Sequence, residues 1–416
     1  MSRCFPWFLF ALILGLCPGA RADDGLTPLE TLKEAIRSSP RVVAAEARLK
    51  GLREWSRGVG AQPNPELRLS ATSGDAEEQS NSLVQTLEVF GQPGLRRSYG
   101  NALAEASHQE LLEARLHAAV TAATAYYDLW EAQQEALVMI DRDAIAQRLL
   151  EVSARRLELG EISTSQHLRV ELEAASARAD RTRAEADEFA AEALLRGLLG
   201  RHEPLPPLPV LEEGRAPDLA LTPDSESLDA LLLQTEQNLP ELVGARHRLD
   251  AAWLQTRLAG RENAPNIELS AYRSRLFARE AEQGLQLSLV VPLWDWGQSG
   301  AEVARLDGEA AALEHELQAL VIETRYRVMQ AWYRYQAAVQ RRSQLEQQVS
   351  AFRRLSEMAT RGYDAGLLSL PEVLETQRAF RQGRLEYVAA EAELQRSRIE
   401  LHAASGDLLA QEEMEK

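Results

Sequence analysis

The side chains that most often perform chemistry are few in this sequence, and their spacing fits neither catalysis nor metal binding. The 416 residues contain no His-x-x-x-His pair, no phosphate-binding glycine loop and no Gly-x-Ser-x-Gly motif. The five methionines form no thioether cluster. The histidines are His108, His117, His167, His202, His247, His315 and His402. We therefore predict that the protein is not an enzyme and has no catalytic residue, metal site or cofactor.

One pair of carboxylates could nevertheless act on ions. Glu372 and Glu375 are three residues apart in a segment whose composition favours a helix, so they lie on one helix face. Such a pair either attracts cations at a narrow passage or is an ordinary solvated helix face. The spacing alone leaves both interpretations open.

The start of the chain, residues 1–22, is predicted to be a secretory signal peptide. A positive Arg3 precedes an apolar run, and a small-x-small cleavage site ends at Ala22. A buried first helix and lipidation of Cys17 are the alternatives. Both cysteines, Cys4 and Cys17, precede the cleavage site, so the mature chain would have no thiol for a disulfide. The net charge of −17 argues against nucleic-acid binding.

An internal repeat, with an offset of about 200 residues, organises the rest of the chain. Pro40–Leu49 returns as Pro240–Leu249, Asn64–Leu67 as Asn266–Leu269, and Gly91–Gly94 as Gly297–Gly300; Arg155, Gly160 and Ser163 return as Arg361, Gly366 and Ser369. The four matches occur in the same order in both halves. Together they indicate a duplicated unit.

Each unit predicts a helix, two short strands and two very long helices without interior proline. The first repeat, residues 23–202, has a helix at about 27–60, strands at about 65–72 and 82–90, and long helices at about 95–157 and 164–199. The second repeat, residues 224–406, has a helix at about 227–262, strands at about 266–273 and 284–293, and long helices at about 298–359 and 369–405. A proline-rich linker, residues 203–223, separates them, and residues 407–416 form a tail. The long helices alone would also suit a soluble coiled coil.

The strand segments alternate between apolar and polar residues, which is typical of a strand with lipid on one side and water on the other. In the last segment, Leu285, Leu287 and Leu289 alternate with Gln286 and Ser288. Residues 66–72 and 266–272 alternate in the same way. Residues 82–90 are less regular, because Gln85 falls on the apolar row. Four strands leave open edges that lipid does not tolerate, so membrane insertion would require oligomerisation.

Two aromatic residues, Trp294 and Trp296, follow the last strand segment. Tryptophan is enriched at the interface between a membrane and water, which predicts a membrane-interface position for both. Packing in a protein core is the alternative.

On the repeat, the strand pairs, the helix lengths and the turn motifs, the chain resembles the TolC-like outer-membrane efflux factors from about Leu26 to Gly406. Residues 82–91 are similar to the CzcC-type cation-efflux branch. The resemblance implies a mainly α fold with a small membrane β-barrel contribution, built from long antiparallel helical-barrel hairpins with an internal two-fold repeat. Each protomer would give four β-strands to a trimeric 12-stranded barrel.

The same resemblance implies a function and partners. The protein would be the outer-membrane channel of a tripartite efflux system in a Gram-negative bacterium, extending into the periplasm. It would be a homotrimer in contact with outer-membrane lipid, a periplasmic adaptor (membrane fusion protein) and an inner-membrane pump of the RND type, with no nucleic-acid partner. The CzcC-type branch would carry divalent heavy-metal cations. The alternative function is a soluble periplasmic coiled-coil scaffold or adaptor.

The turns between the long helices predict well-formed helix hairpins. Gly160 and Gly366 can adopt the left-handed conformation that ends a helix. Ser163 and Ser369, each followed three residues later by Gln or Glu, predict capping boxes. The resemblance implies that these four residues dock the adaptor's helical hairpins.

The resemblance also implies a gate at the periplasmic entrance, formed by Tyr363, Asp364, Glu372 and Glu375. In a trimer the two glutamates would give a ring of six carboxylates. Tyr363 matches a gating tyrosine of the family. The arginine that pairs with it in the family pattern is replaced by Leu368. An ion-pair latch is therefore not expected at this entrance.

Overall fold

The structure, a computed structural model, describes residues 25–72, 78–206, 208, 215–219, 227–276, 282–364 and 368–409. The signal peptide, the lipidation candidate Cys17, much of the proline-rich linker and most of the tail lie outside the described residues. Of the gate and tip residues, Gly366 also lies outside them, as do the side chains of Tyr363 and Asp364.

Eight helices of the described residues fall into two matching sets. Corresponding helices have 11, 20, 67 and 35 residues in the first half and 11, 20, 67 and 36 in the second. The internal two-fold repeat is confirmed by this agreement. A short 3-10 turn, Asp407–Leu409, ends the described chain. The helices are α1 (Pro28–Ser38), α2 (Pro40–Val59), α3 (Gln92–Glu158), α4 (Thr164–Leu198), α5 (Leu228–Asn238), α6 (Pro240–Ala259), α7 (Gln298–Asp364) and α8 (Leu370–Ser405).

The first helix of each repeat is divided in two, whereas the sequence predicts one continuous helix. Pro40 and Pro240 each begin the second piece. Proline lacks a backbone N–H and disfavours helical geometry in the residue before it. Accordingly Ser39 (φ −68°, ψ 119°) and Leu239 (φ −63°, ψ 121°) are extended.

The strands form one antiparallel sheet in the order β1 (Glu66–Thr72), β2 (Glu78–Leu87), β3 (Asn266–Leu276) and β4 (Glu282–Val290). The central pair, β2 with β3, joins the two repeats. Together with the helices, this sheet confirms the predicted class, mainly α with four β-strands.

Two strands end earlier than the sequence predicts. The side-chain amide of Gln62 bonds the backbone of Glu88, with distances of 2.8 Å to its N–H and 3.2 Å to its carbonyl oxygen. These side-chain bonds satisfy backbone groups that a longer β2 would place in the sheet. β4 ends at Val290, two residues before Pro292, which cannot donate to a ladder.

The long helices pack side by side in the order α4, α3, α8, α7, and the shorter α2 and α6 pack beside α3 and α7 towards the sheet. At a rise of about 1.5 Å per residue, α3 and α7 are each about 100 Å long. Their positions mean that the turn between α3 and α4 and the turn between α7 and α8 lie at the end remote from the sheet.

The largest core lies near the middle of α3. Tyr126, Tyr127 and Trp130 are fully buried there, against α1, the end of α4, α8 and the described linker residues. The Tyr126 hydroxyl donates to the Leu26 carbonyl at 3.0 Å, and the Tyr127 hydroxyl donates to the Pro217 carbonyl at 2.7 Å. These bonds fix α1 and the linker against the long helices. Among the described helices, none combines the length and the apolar character needed to cross a membrane.

Candidate functional site

The sheet has one apolar face, and it is exposed in the single chain. Cross-strand pairing aligns Leu67 with Leu83, Leu83 with Ala271 and Ala271 with Leu285. Leu285 and Leu287 of β4 are the most exposed leucines of the strands, at 80% and 72%. Exposed apolar area of this kind costs free energy in water, so it requires a lipid or protein surface.

Gln85, the residue that interrupts this apolar row, has a local explanation. Its side-chain amide donates to the Pro63 carbonyl at 2.8 Å and to the Thr86 carbonyl at 2.9 Å. The amide therefore satisfies backbone acceptors at the start of the sheet. The irregularity in the sequence is not a break in the strand, because Gln85 pairs with Leu269 and Leu87 continues the same face opposite Ile267.

Trp294 and Trp296 lie after β4 and are 71% and 88% exposed. Core packing within the chain is therefore excluded as their role. Trp296 has a positive φ of 56°, which is uncommon for a bulky residue and costs about 1–2 kcal/mol. Both rings are exposed, as a position at the membrane interface requires, and that position remains a prediction.

Asp295, between the two tryptophans, holds this turn. Its carboxylate accepts from the N–H groups of Gly297 at 3.0 Å and Ser299 at 2.9 Å, and from the Asn263 amide at 3.0 Å. The bonds from Ser299 and Gly297 lower the pKa of Asp295 to about 2. The charged carboxylate thus caps the start of α7 and fixes the turn that presents both tryptophans.

The first helix tip has the predicted geometry. Gly160 has φ 73°, and the following N–H, that of Glu161, donates to the Arg156 carbonyl at 2.9 Å. Ser163 N–H donates to Gln166 Oε1 at 2.9 Å, and Gln166 N–H returns a bond to Ser163 Oγ at 3.3 Å. The left-handed glycine and the capping box at this tip are both confirmed.

The second tip begins α8 in the same way. Ser369 donates to Glu372 Oε2 from its N–H at 2.8 Å and from its hydroxyl at 2.7 Å. The capping box predicted at Ser369 is therefore confirmed. Hydrogen bonds from the Ser369 side chain and backbone lower the pKa of Glu372. Glu372 thus keeps its negative charge while it caps the helix.

Glu372 and Glu375 are both exposed on the first turns of α8. Glu375 faces the first tip across a groove, which we call the tip groove, with a volume of about 1000 Å³. The tip groove brings Ser369 and Glu375 of the second tip together with Ile162 and Gln166 of the first. Gly160, Ser163 and Glu372 are near it along the chain but do not line it.

The position of the missing arginine is occupied by an apolar contact. Leu368 N–H donates to the Gly362 carbonyl at 3.3 Å, across the end of α7. Leu368 also lines the tip groove, and its repeat partner in the first half, Ile162, lies across the groove. This pair was not predicted from the sequence, although the apolar residue two positions after each turn glycine was a usable signal.

Other apolar residues of the tip groove were also missed. These residues are partly exposed near the hairpin ends: Val152, Leu172, Pro371 and Leu374. Arg156 and Arg169 are among the polar lining residues.

No group of three or more histidine and carboxylate side chains that could hold a metal ion occurs within the described ranges.

Residues 231–407 match the family described as "Outer membrane efflux protein". No curated protein sequence matches the chain. The matched segment includes the second strand pair, α7, α8 and the second tip. The family description also gives the cellular location, which is the outer membrane.

Several solved structures share the fold over nearly the whole chain. The outer membrane protein VceC from Vibrio cholerae has a TM-score of 0.73 and 18% identity, covering 91% of this chain and 96% of VceC. The CmeC outer membrane channel of Campylobacter jejuni has a TM-score of 0.74 and 12% identity, covering 98% and 94%. The MtrE outer membrane channel of Neisseria gonorrhoeae has a TM-score of 0.72 and 17% identity, covering 91% and 88%.

At these identities the structural likeness establishes the fold, and it extends through both repeats. The sequence match to the family is confined to residues 231–407. The second half of the chain thus resembles the outer membrane efflux protein family in sequence, and both halves share the fold of the solved outer membrane channels.

Proposed function

We propose that the protein is the passive outer-membrane duct of a tripartite efflux system. The observation that carries this proposal is the four-stranded sheet, whose apolar face is exposed while its opposite face carries polar residues such as Arg68 and Glu268. A lipid-facing wall with a wet interior has this two-sided pattern.

The sheet ends argue for three copies. β1 and β4 are edge strands in the described chain, and unpaired backbone groups are not tolerated in lipid. Pairing β4 of one copy with β1 of the next would close the wall, and a homotrimer would give a barrel of twelve strands. The long helices would then line a continuous passage through the periplasm.

Purified full-length protein reconstituted into planar lipid bilayers tests this proposal. The duct predicts stepwise ion conductance and a trimer that resists SDS until it is heated. It also predicts recovery of the protein in the outer-membrane fraction. A monomer that stays in the periplasmic fraction and gives no conductance would instead support the soluble scaffold or adaptor.

The same proposal gives roles to the two helix tips. We place the periplasmic entrance at Glu372, Glu375, Tyr363 and Asp364, since the carboxylates of α8 are exposed at the end remote from the sheet. The low pKa of Glu372 supports a permanently charged entrance. Opening would depend on a periplasmic adaptor and an inner-membrane RND-type pump.

Adaptor docking is assigned to the tips that carry Gly160, Ser163, Gly366 and Ser369, with the tip groove as the contact surface. The occupant would be an α-helical hairpin, because the groove lies between α3, α4 and the start of α8 and is lined by partly exposed apolar residues. Replacing Ile162 by Glu should abolish binding of the purified adaptor in calorimetry. Leu194→Glu, at an exposed position far from the tips, is the matched control.

For the cargo we propose divalent heavy-metal cations, on the similarity of residues 82–91 to the CzcC-type branch. A strain lacking the protein should become sensitive to zinc, cobalt or cadmium and regain resistance when the gene is restored. Unchanged metal resistance together with new drug sensitivity would assign the duct to a different cargo.

A further inference from the structure

A second cavity lies between α3 and α8, next to the tip groove but towards the middle of the helices. Its volume is about 330 Å³. Its lining is unusual for a protein with a net charge of −17, because five arginines contribute to it and only two carboxylates do. The arginines are Arg142, Arg148, Arg378, Arg381 and Arg384, and the carboxylates are Asp141 and Glu173. We call it the arginine cavity.

Three of these arginines have carboxylate partners. Arg142 and Arg378 share Glu173, at 3.0 Å and 2.9 Å, and Arg142 also pairs with Asp180 on α4. Arg384 pairs with Asp141 at 3.0 Å. The two carboxylates of the lining are therefore already engaged in ion pairs, and the five arginines outnumber them.

Of the two lining arginines without an ion pair among the described residues, Arg148 is exposed and Arg381 is partly buried. Arg381 also has no hydrogen bond within the described ranges, and the carboxylate that acts on it, Glu173, is already shared by Arg142 and Arg378. Burial and the like charges of Arg142 and Arg378 lower the pKa of Arg381. An anion bound beside Arg381 would therefore offset the repulsion among these cations.

A second unsatisfied donor lies in the same lining. The side chain of Arg142 is only 13% exposed, and its Nε is buried without an acceptor in the described part of the chain. Buried donors of charged groups usually have partners, and leaving one unpaired is unfavourable. Arg142 thus contributes a buried unpaired donor, and Arg381 a partly buried guanidinium without an ion pair, to the lining of one cavity.

We propose that the arginine cavity is a binding site for a small, multiply charged oxyanion, with Arg381 as its principal ligand. Guanidinium groups present paired N–H donors that match phosphate and carboxylate oxygens. The volume is ample for phosphate or a small polycarboxylate, and the excess of cations over carboxylates favours a charge of two or more. The proposal is independent of which substrate passes through the protein.

Isothermal titration of the full-length oligomer with inorganic phosphate, and separately with citrate, tests the proposal. Sodium chloride holds the ionic strength equal in all titrations, so that general screening is removed from the comparison. We expect one site per chain, and binding about tenfold weaker in Arg381→Gln, as loss of a charge-assisted bond implies. Arg353→Gln, which removes an exposed arginine elsewhere on α7, should bind as the unaltered protein does.

A second measurement uses only the unaltered protein, so it does not require Arg381→Gln to fold. Phosphate should raise the unfolding temperature of the unaltered protein more than sodium chloride of equal ionic strength, because a ligand that binds only the folded state stabilises it. Absence of both phosphate and citrate binding to the unaltered protein, or an equal loss in Arg381→Gln and Arg353→Gln, would overturn the site.

Discussion

Leu368 packs against Gly362 so closely that a Cβ atom added at Gly362 would lie 2.9 Å from Leu368 Cδ1. The contact joins the end of α7 to the residue just before the cap of α8. An apolar side chain therefore holds the second tip where the family pattern has an arginine. Such a contact is insensitive to salt, whereas an ion-pair latch would weaken as ionic strength rises.

Removing that side chain should loosen the entrance. Burial of a leucine contributes about 1.5–3 kcal/mol, and part of this is lost in Leu368→Ala. We expect the open fraction in planar bilayers to rise about fivefold or more, equally at low and high salt. Leu355→Ala, at an exposed position on α7, is the control. Equal conductance in the two variants would contradict a role for Leu368 in closure.

Neutralising the entrance carboxylates should reduce cation selectivity. Glu372→Gln combined with Glu375→Gln removes six charges from a trimer, and we expect the reversal potential in a potassium chloride gradient to move towards zero. Gln166 fills the capping role at the first tip, so a glutamine at Glu372 should preserve the helix start.

The control for this experiment is Glu314→Gln with Glu316→Gln, an equal charge change at exposed positions in the half of α7 nearer the sheet. A reversal potential that shifts as much in the control would assign selectivity to the overall charge. No shift in either pair would remove Glu372 and Glu375 from the entrance.

The turn after β4 should be sensitive to acid. The pKa of Asp295 is lowered to about 2, so its ionised form is favoured by folding. Its contribution is complete above the ordinary aspartate pKa and is lost as the pH falls towards 2. Hydrogen exchange at the Gly297 and Ser299 amides should therefore accelerate, relative to intrinsic exchange, between pH 5 and pH 2.

Asp295→Ala should show that fast exchange at every pH in this range. Asp307→Ala, which removes an exposed carboxylate within α7, should behave as the unaltered protein does. Protection of the Gly297 amide that is the same in Asp295→Ala and the unaltered protein would mean that the carboxylate does not hold the turn.

The tryptophans after β4 should lie at a lipid surface. In vesicles that contain lipids brominated near the headgroup, Trp294→Phe with Trp296→Phe should lose most of the quenchable fluorescence. Trp332→Phe, packed beside the core of α5, α7 and α8, should retain it. Quenching that survives the double substitution would place Trp294 and Trp296 away from the bilayer interface.

Local signals made much of this fold predictable. The repeat partners Gly91 and Gly297 precede α3 and α7 with φ 91° and 82°, and serine capping boxes begin α4 and α8. Each depends on a few neighbouring residues, so the sequence alone carries it. The break at Pro40 also has a local cause, and it was missed because helical periodicity continues on both sides.

The tip groove and the arginine cavity could not be predicted in this way. Arg142 and Arg381 are 239 positions apart and share a cavity only because α3 packs against α8. Neither residue belongs to a motif, and arginine is common throughout these helices. Recognising them requires knowledge of which helix faces meet, and that depends on the packing of the complete chain.

The pairing of β2 with β3 constrains the order of folding. Leu83 lies opposite Ala271, so almost two hundred residues must emerge before the central strands of the sheet can meet. A lone pair of strands is marginally stable in water, and closing so long a loop is slow. The newly translocated β1–β2 hairpin therefore presents Leu67, Leu69 and Leu83 to the periplasm without a partner. Apolar strands exposed in this way are prone to aggregate until β3 pairs with β2.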